Sequence, residues 1–290
     1  MIAVSIKKST ILKAITLTLA LITAIASTVF CAFAKNPPAP NDGIHVPILM
    51  YHSILNDPSR TGKYVITPAS LEQDLQYLQS HNYTTIFMTD LIDYVYQGTP
   101  LPEKPIIITF DDGHLNNKTY LYPLLEKYNM KAVISVVGSY TENYSQNPDP
   151  NPAYAYLTWE DIRELSQSGY IEIQNHSYDM HGNQERHGAK KKWNETSDHY
   201  KNFFCSDVTK MQQCLEENSS VCPNTFTYPF GLISEESNDY IKEMGFKASL
   251  SCHERENIIT QDPNDLYELG RYNRSGLTDT QSIMKKANIA

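Results

Sequence analysis

The sequence predicts an α/β fold in which strands and helices alternate along most of the chain. Residues 106–110 form a run of β-branched and aromatic residues typical of a buried strand. Leu71, Leu75 and Leu78 recur at helical spacing behind a Thr-Pro start at 67–68. Repeated alternation of this kind indicates a parallel sheet covered by helices. It fits an open doubly wound sheet or a barrel, and periodicity does not choose between them.

The remaining elements follow in the same alternating order. After a first strand at 47–51, strands are predicted near 84–87, 106–110, 131–137, 171–175, 224–228, 247–251 and 267–272. Helices are predicted near 89–97, 118–128, 158–168, 202–217 and 235–244, and Thr158 suits a helix N-cap. Two long connections, 139–157 and 182–201, interrupt the pattern, and long connections are often functional.

Two adjacent carboxylates, Asp111 and Asp112, follow the strongest predicted strand. Successive side chains of an extended chain point to opposite faces, so one carboxylate can bind a metal while the other meets a substrate. Asp-Asp-Gly also suits a polar turn, which is the simpler interpretation of this segment taken alone.

A pair of histidines follows another predicted strand, in which Ile171 and Ile173 alternate with polar residues. On a helix the five residues from His176 to His181 would leave the rings about 140° apart, so the spacing favours a strand end curling into a loop. Two imidazoles with one carboxylate are typical of a catalytic divalent ion that keeps a position open for water. A structural role for these histidines is the alternative.

Two later segments also end in residues that could bind a ligand or pair with a charged group. The Thr-Phe-Thr-Tyr-Pro-Phe-Gly of residues 225–231 runs from an alternating strand into a turn, where backbone donors can face a ligand. The Leu-Gly-Arg-Tyr-Asn-Arg of residues 269–274 places Arg271 at a strand end, either to pair with a carboxylate or to lie on the surface.

These segments, in this order, resemble the NodB-like polysaccharide deacetylases, the fourth family of carbohydrate esterases. The resemblance rests on Thr-Phe-Asp-Asp-Gly at 109–113, His-Ser-x-x-x-His at 176–181, Tyr-Pro-Phe-Gly at 228–231 and an opening strand at 47–52. It covers roughly residues 46–275 and implies a single-domain, irregular (β/α)7 barrel.

The resemblance implies a role for each matching residue. Asp111 matches the general base, and the backbone amide of Tyr228 matches an oxyanion donor, with Pro229 as a substrate contact. The implied metal ligands are Asp112, His176 and His181. This set agrees with the needs of amide hydrolysis, which are a polarised carbonyl, an activated water and a stabilised oxyanion.

The sequence departs from the family pattern in three places. The two histidines are five residues apart, whereas the commonest family spacing is four. The longer spacing resembles that of a sub-group acting on poly-N-acetylglucosamine and cell-wall glycans. The usual Arg before Tyr-Pro is missing, so we expect Arg271 to tether Asp111 from another strand. The late Leu-x-Leu-x-His motif is missing as well, which leaves the general acid unassigned. His114 and His253 are the remaining imidazole candidates, and neither sits in the motif.

His52 ends the first predicted strand at the same rim, yet we keep it out of the metal set. A fourth protein ligand would close the position that water needs, so a pocket-lining or hydrogen-bonding role is expected.

The amino-terminal end predicts export. Three lysines, Lys7, Lys8 and Lys13, precede an apolar run over about 14–33 and an Ala-x-Ala cleavage signal at 32–34. We therefore expect residues 1–34 to be a signal peptide or an uncleaved membrane anchor. Residues 35–45 are a linker and 46–290 the deacetylase domain, in a secreted or cell-surface protein.

Net charge and composition limit the classes of molecule that the protein is expected to bind. The formal net charge is −9, and loss of the three signal lysines would take it to −12, which disfavours nucleic acid and anionic surfaces. We expect a monomer that contacts a polysaccharide, with Trp193 in the second long connection as a sugar contact. Four cysteines outside the signal permit two disulfides in three connectivities, and they are Cys205, Cys214, Cys222 and Cys252.

The sequence thus predicts an exported, metal-dependent hydrolase removing N-acetyl groups from peptidoglycan or poly-N-acetylglucosamine. An O-acetyl xylan esterase and a non-catalytic glycan-binding barrel are the alternatives. One divalent ion is expected, with zinc first and cobalt, nickel, manganese or iron compatible with the same donors.

Overall fold

The computed structural model describes residues 42–182 and 186–289. The export segment predicted for 1–34, and the predicted linker as far as residue 41, lie outside the described residues. Among the described residues, no helix combines the length and apolar character needed to cross a membrane.

The described residues alternate strands and helices from end to end. The strands are β1 Ile44–His45, β2 Ile48–Tyr51, β3 Ser53–Ile54, β4 Val65–Ile66, β5 Thr84–Thr85, β6 Pro105–Phe110, β7 Ala132–Val136, β8 Ile171–Asn175, β9 Thr225–Thr227, β10 Ala248–Leu250, β11 Ile258–Ile259 and β12 Tyr272–Asn273. The helices are α1 Pro68–Ser80, α2 Met88–Gln97, α3 Tyr122–Tyr128, α4 Gly138–Gln146, α5 Trp159–Gln167, α6 Ser197–Ser219, α7 Glu235–Glu243 and α8 Thr280–Lys286. Short 3₁₀ turns lie at Pro58–Arg60, Pro229–Gly231 and Pro263–Leu266, and one π turn at Asn117–Leu121 precedes α3.

Eight of these strands form one curled parallel sheet. Seven follow the order β10, β9, β8, β7, β6, β2, β12, and β5 pairs with β6 beside this path. β12 pairs with β2 at one edge, while Leu269, three residues upstream, bridges to Leu250 of β10 at the other. The segment 269–273 therefore contacts both edges, and the sheet curls into an irregular barrel. This confirms the predicted α/β fold and its (β/α)7 barrel.

The central strand β6 is buried over its whole length, because helices cover one face and the barrel interior the other. Ile106, Ile108 and Phe110 pack in the main hydrophobic cluster with residues of α1, α3 and α5. The alternate residues of the strand, Ile107 and Thr109, lie on the opposite face. This alternation continues past the strand end and directs Asp111 to the interior side.

The structure departs from the predicted elements in the long connections and at the carboxyl end. α4 lies inside the connection predicted at 139–157, and α6 begins at Ser197, inside the one predicted at 182–201. α4 escaped prediction because its sequence, GSYTENYSQ, has little apolar periodicity. α8 was not predicted either.

The four described cysteines are all free thiols, so the two disulfides that the sequence permits are not formed among the described residues. Cys205 and Cys214 both lie on α6, nine residues and therefore about 13 Å apart along the helix axis. A disulfide needs Cα atoms closer than about 7 Å, so these two thiols cannot pair.

Candidate active site

The residues singled out from sequence converge where the barrel strands end. Asp111 and Asp112 follow β6, His176 follows β8, and Arg271 immediately precedes β12. They border a cleft of about 1090 Å³, which Asp111, Asp112, His176 and His181 all line. The carboxyl ends of barrel strands are the usual place for catalytic groups, since their loops meet there.

Asp111 is tied to Arg271 by two hydrogen bonds. The guanidinium donates from Nη1 to Oδ1 at 2.7 Å and from Nη2 to Oδ2 at 2.8 Å. Arg271 also donates to the Ser251 carbonyl and to the Thr109 hydroxyl, and both ionic side chains are almost fully buried. Burial raises the pKa of Asp111, but the cation of Arg271 with its hydrogen bonds, together with the neighbouring His176 and His52, lowers it more, so the pKa of Asp111 stays below its usual value. The structure thus brings together the two residues for which the sequence predicted a tether.

Asp112, His176 and His181 form the one cluster of at least three possible metal-ligating side chains found in the described part of the chain. Asp112 Oδ1 lies 3.6 Å from Nε2 of each histidine, and the two Nε2 atoms are 2.9 Å apart. Ligands bound tetrahedrally to zinc at about 2.05 Å lie about 3.3 Å from one another, close to these separations.

Two features of this trio fit a bound cation. Asp112 Oδ1 is buried and has no hydrogen-bond partner among the described residues, although it lies between the two imidazoles. Nδ1 of His176 donates to the Thr227 carbonyl at 2.8 Å, which leaves its Nε2 lone pair facing the cluster. A histidine oriented through its second nitrogen is typical of metal ligands.

The backbone places these side chains through residues in the left-handed region. Asp112 and Gly113 adopt successive φ values of 75° and 74°, which turn the chain sharply after β6. Ser177, directly after His176, has φ 73°, and its amide donates to Asn175 Oδ1 at 2.8 Å. Left-handed backbone at non-glycine residues is strained and gathers at functional sites.

Burial and neighbouring charges set the protonation of the trio. Burial raises the pKa of Asp112, but the imidazoles of His114 and His176, each 3.6 Å from one of its oxygens, hold it well below its usual value. Burial and the neighbouring His176 lower the pKa of His181 to about 3. Burial also lowers the pKa of His176, but the carboxylates of Asp112 and Asp111 reverse this and raise it overall. The trio therefore holds an ionised carboxylate and one neutral imidazole at neutral pH.

His52 lies on the other side of Asp111, a position that sequence reasoning left without a catalytic role. Its Nε2 is 4.0 Å from Asp111 Oδ2, and its ring packs on Tyr64 at 4.6 Å. Its Nδ1 is buried, and no residue in the described ranges forms a hydrogen bond with it. Burial lowers the pKa of His52 more than the nearby carboxylates raise it. The signal that could have identified it is its place directly after a barrel strand.

Three predicted contacts lie away from the cleft. The Tyr228 amide donates to the Leu250 carbonyl at 3.0 Å, and its hydroxyl contacts Asn238 and Ser237. The structure therefore gives no support for the Tyr228 amide as oxyanion donor, because the β9–β10 ladder takes that hydrogen. Pro229 is buried and Trp193 is 97 % exposed, and neither residue lines the cleft.

Aromatic rings border the trio on two sides. Phe230, which has φ 57° and is 41 % exposed, stacks on His187 at 3.9 Å and lies 4.3 Å from the His181 ring. On the other side Tyr140 lies 6.5 Å from the His181 ring and 4.5 Å from Tyr156. Rings beside a polar centre suit the apolar faces of a sugar. Phe230 directly follows Pro229, the residue that the sequence predicted as the substrate contact.

Comparison with known proteins agrees with this geometry. The profile of the polysaccharide deacetylase family matches residues 98–249, just over half of the chain. The chain belongs to this family. The match includes Asp111, Asp112, His176, His181 and the Tyr-Pro-Phe-Gly segment. Family membership confirms the resemblance inferred from the motifs, and the family is metal-dependent.

Curated relatives are poly-beta-1,6-N-acetyl-D-glucosamine N-deacetylases. The Staphylococcus aureus (strain MRSA252) protein is 25 % identical over 206 residues, covering 70 % of this chain and 66 % of the relative. The Escherichia coli (strain K12) protein is 21 % identical over 228 residues, covering 72 % of this chain. The match spans only 34 % of the length of the Escherichia coli relative.

Solved structures share the fold. A de-N-acetylase from Aggregatibacter actinomycetemcomitans superposes with a TM-score of 0.71 at 23 % identity, covering 84 % of this chain and all of that one. The Streptococcus pyogenes deacetylase PplD gives 0.68 at 19 % identity, covering 84 % of this chain and 99 % of that one. At these identities the likeness establishes the barrel fold alone.

Proposed function

We propose that this chain is a metal-dependent hydrolase that removes N-acetyl groups from an extracellular N-acetylhexosamine polysaccharide. Poly-N-acetylglucosamine is the first substrate to test, because the curated relatives carry that name, and peptidoglycan is the second. The observation that carries the proposal is the grouping of Asp112, His176 and His181 beside the separate, arginine-bound carboxylate of Asp111.

The three clustered side chains would hold one divalent cation. Its role, when bound, is to polarise the acetyl carbonyl and to make water acidic enough to attack at neutral pH. Zinc suits two imidazoles and one carboxylate, and cobalt, nickel, manganese and iron tolerate the same donors. Three protein ligands leave a position open for the reacting groups.

Asp111 would act as the general base. Its lowered pKa keeps it ionised at neutral pH, so it can accept the proton of the attacking water. The two hydrogen bonds from Arg271 fix the plane of the carboxylate and leave the remaining lone pairs of its oxygens as acceptors. In this arrangement Arg271 orients the base and does not touch the substrate.

His52 would supply the proton for the leaving amine. It lines the same cleft as Asp111, and no described residue forms a hydrogen bond with its Nδ1. Asp111 would take the proton from the attacking water and pass it to Nε2 of His52, 4.0 Å from Asp111 Oδ2, and the resulting imidazolium would protonate the leaving amine. The assignment fills the position that the sequence left open, and it keeps His52 outside the metal set.

The deciding experiment is acetate release from three acetylated glycans with the full chain and added divalent ion. We expect release from β-1,6-linked N-acetylglucosamine oligomers, and less from chitin oligomers or acetylxylan. Preferential turnover of acetylxylan would point to an O-acetyl esterase instead.

Asp111→Asn is expected to abolish release while the metal content stays unchanged, because Asp111 is not among the three clustered donors. Asp239→Asn, which alters an exposed carboxylate on α7, is the matched control and should behave as wild type. Metal-loaded wild type that binds these oligomers but releases no acetate would show a glycan-binding barrel and refute the hydrolase proposal.

A further inference from the structure

The two oxygens of Asp112 face different partners. Oδ1 lies 3.6 Å from Nε2 of both His176 and His181. Oδ2 instead lies 3.6 Å from Nε2 of His114, a residue that the proposed mechanism does not use. The carboxylate is therefore divided between the proposed metal position and a third imidazole.

We propose that His114 is a positioning residue that holds Asp112 to the metal through one oxygen only, and that the 139–157 connection fixes His114 for this task. The inference rests on the metal site of the proposed function. It gives a structural task to a connection that the sequence distinguished only by its length.

His114 is held from the backbone side by a short ladder. Leu115 donates to the Ala155 carbonyl at 2.8 Å, and Leu157 donates to the Gly113 carbonyl at 2.8 Å. These bonds lie on either side of the isolated antiparallel bridge between His114 and Tyr156. The end of the 139–157 connection is thus paired, residue for residue, with the segment that follows Asp112.

The His114 ring is held by stacking as well. It lies on the Tyr156 ring with centroids 4.7 Å apart and planes 28° apart. Tyr156 in turn contacts Tyr140 at 4.5 Å and Tyr144 at 5.6 Å. Tyr156 covers one face of the imidazole and is itself packed against two rings, so this stack limits the freedom of His114 to turn away from Asp112.

The position of His114 determines how many oxygens of Asp112 can bind the cation. An imidazole N–H beside the second oxygen of the carboxylate, here 3.6 Å from Oδ2, favours binding of the cation through the other oxygen alone. Without that donor the carboxylate can rotate and bind through both oxygens, which occupies the position that water and the acetyl group need. Outer partners of this kind change metal affinity by about 10- to 100-fold when removed.

The test compares two variants of the full chain. His114→Phe keeps the stack on Tyr156 but removes the donor, whereas His114→Gln keeps an N–H donor. His81→Phe is the matched control. The His81 ring, at the carboxyl end of α1, also stacks on a tyrosine, Tyr77, with centroids 3.9 Å apart, and it lies outside the cleft. Co²⁺ affinity is measured by competition with a chromophoric chelator, and the visible spectrum of the Co²⁺ form reports coordination number.

We expect His114→Phe to weaken Co²⁺ binding about 10- to 100-fold and to reduce visible absorption as coordination number rises. His114→Gln should recover most of the affinity, and the control should match wild type. Wild-type affinity and spectrum in His114→Phe would overturn the inference. Equal losses in both His114 variants would also overturn it, since the ring rather than the donor would then matter.

The same measurement separates this inference from the proposed function. Wild type that binds Co²⁺ but releases no acetate would refute the hydrolase while leaving the role of His114 standing. Wild type that binds no divalent ion would refute both. Equal thermal unfolding of the metal-free variants and wild type would show that the His114 variants are folded.

Discussion

Replacing Arg271 by methionine tests how the barrel holds its base. The Arg271 side chain is 0 % exposed and that of Asp111 is 2 % exposed, and two hydrogen bonds join them. Removing one partner of a buried ion pair leaves an uncompensated charge and costs about 3–5 kcal/mol. The Thr109 hydroxyl and the Ser251 carbonyl also lose a donor. We therefore expect the free energy of unfolding to fall by at least about 3 kcal/mol.

The pH dependence should change in a defined direction. In the native chain the pKa of Asp111 lies below 3.8, so its contribution to stability is present above pH 3.8 and is lost as pH falls through the lowered value. Without Arg271, burial still raises the pKa while its main opposing charge is gone. The base then protonates at higher pH, and the acid limb of kcat/KM moves upward.

The assay is acetate release across pH together with urea unfolding in the presence of a chelator. Arg271→Lys keeps a cation without the paired geometry and should fall between wild type and Arg271→Met. Arg163→Met, which removes an exposed arginine of α5, is the matched control. An Arg271→Met variant with an unmoved acid limb and wild-type unfolding would refute the tether.

Three further predictions concern the loops around the cleft. Gly113→Ala should cost about 1–3 kcal/mol of strain and more from the contact with Val136 Cγ1, which an added Cβ would meet at 2.8 Å. Gly169→Ala, with φ 79° and nothing within 4 Å of an added Cβ, should cost the strain alone, so equal losses in urea unfolding would refute the steric part. Burial lowers the pKa of His176, but the neighbouring carboxylates raise it above 6.5. Metal affinity should therefore fall as pH drops below that raised value, and metal binding should release a proton. Calorimetry that shows pH-independent metal binding between pH 6 and 8 would contradict this. Phe230→Gly removes the backbone strain of φ 57° together with a half-exposed ring. KM for the oligomers should therefore rise about 2- to 12-fold with little loss of stability. An unchanged KM would exclude a contact between Phe230 and the sugar.

The sequence by itself determined the fold class and the chemical types at the strand ends. β6 and β8 each show a periodicity that ends at a polar residue, and such local patterns depend only on which side chains can be buried. Asp111, Asp112, His176 and His181 could be assigned to one site because carboxyl ends of parallel strands meet at one rim.

Only the tertiary structure decided the contacts between distant segments. The sequence led us to expect that Arg271 tethers Asp111, but the paired contact across 160 positions depends on the segment 269–273, which bridges the two edges of the sheet, and no local pattern encodes that closure. The same holds for His52 beside the base and for the Tyr228 amide, which the neighbouring strand engages. Periodicity fixes which face a side chain takes, whereas the partner on that face depends on how the whole barrel curls.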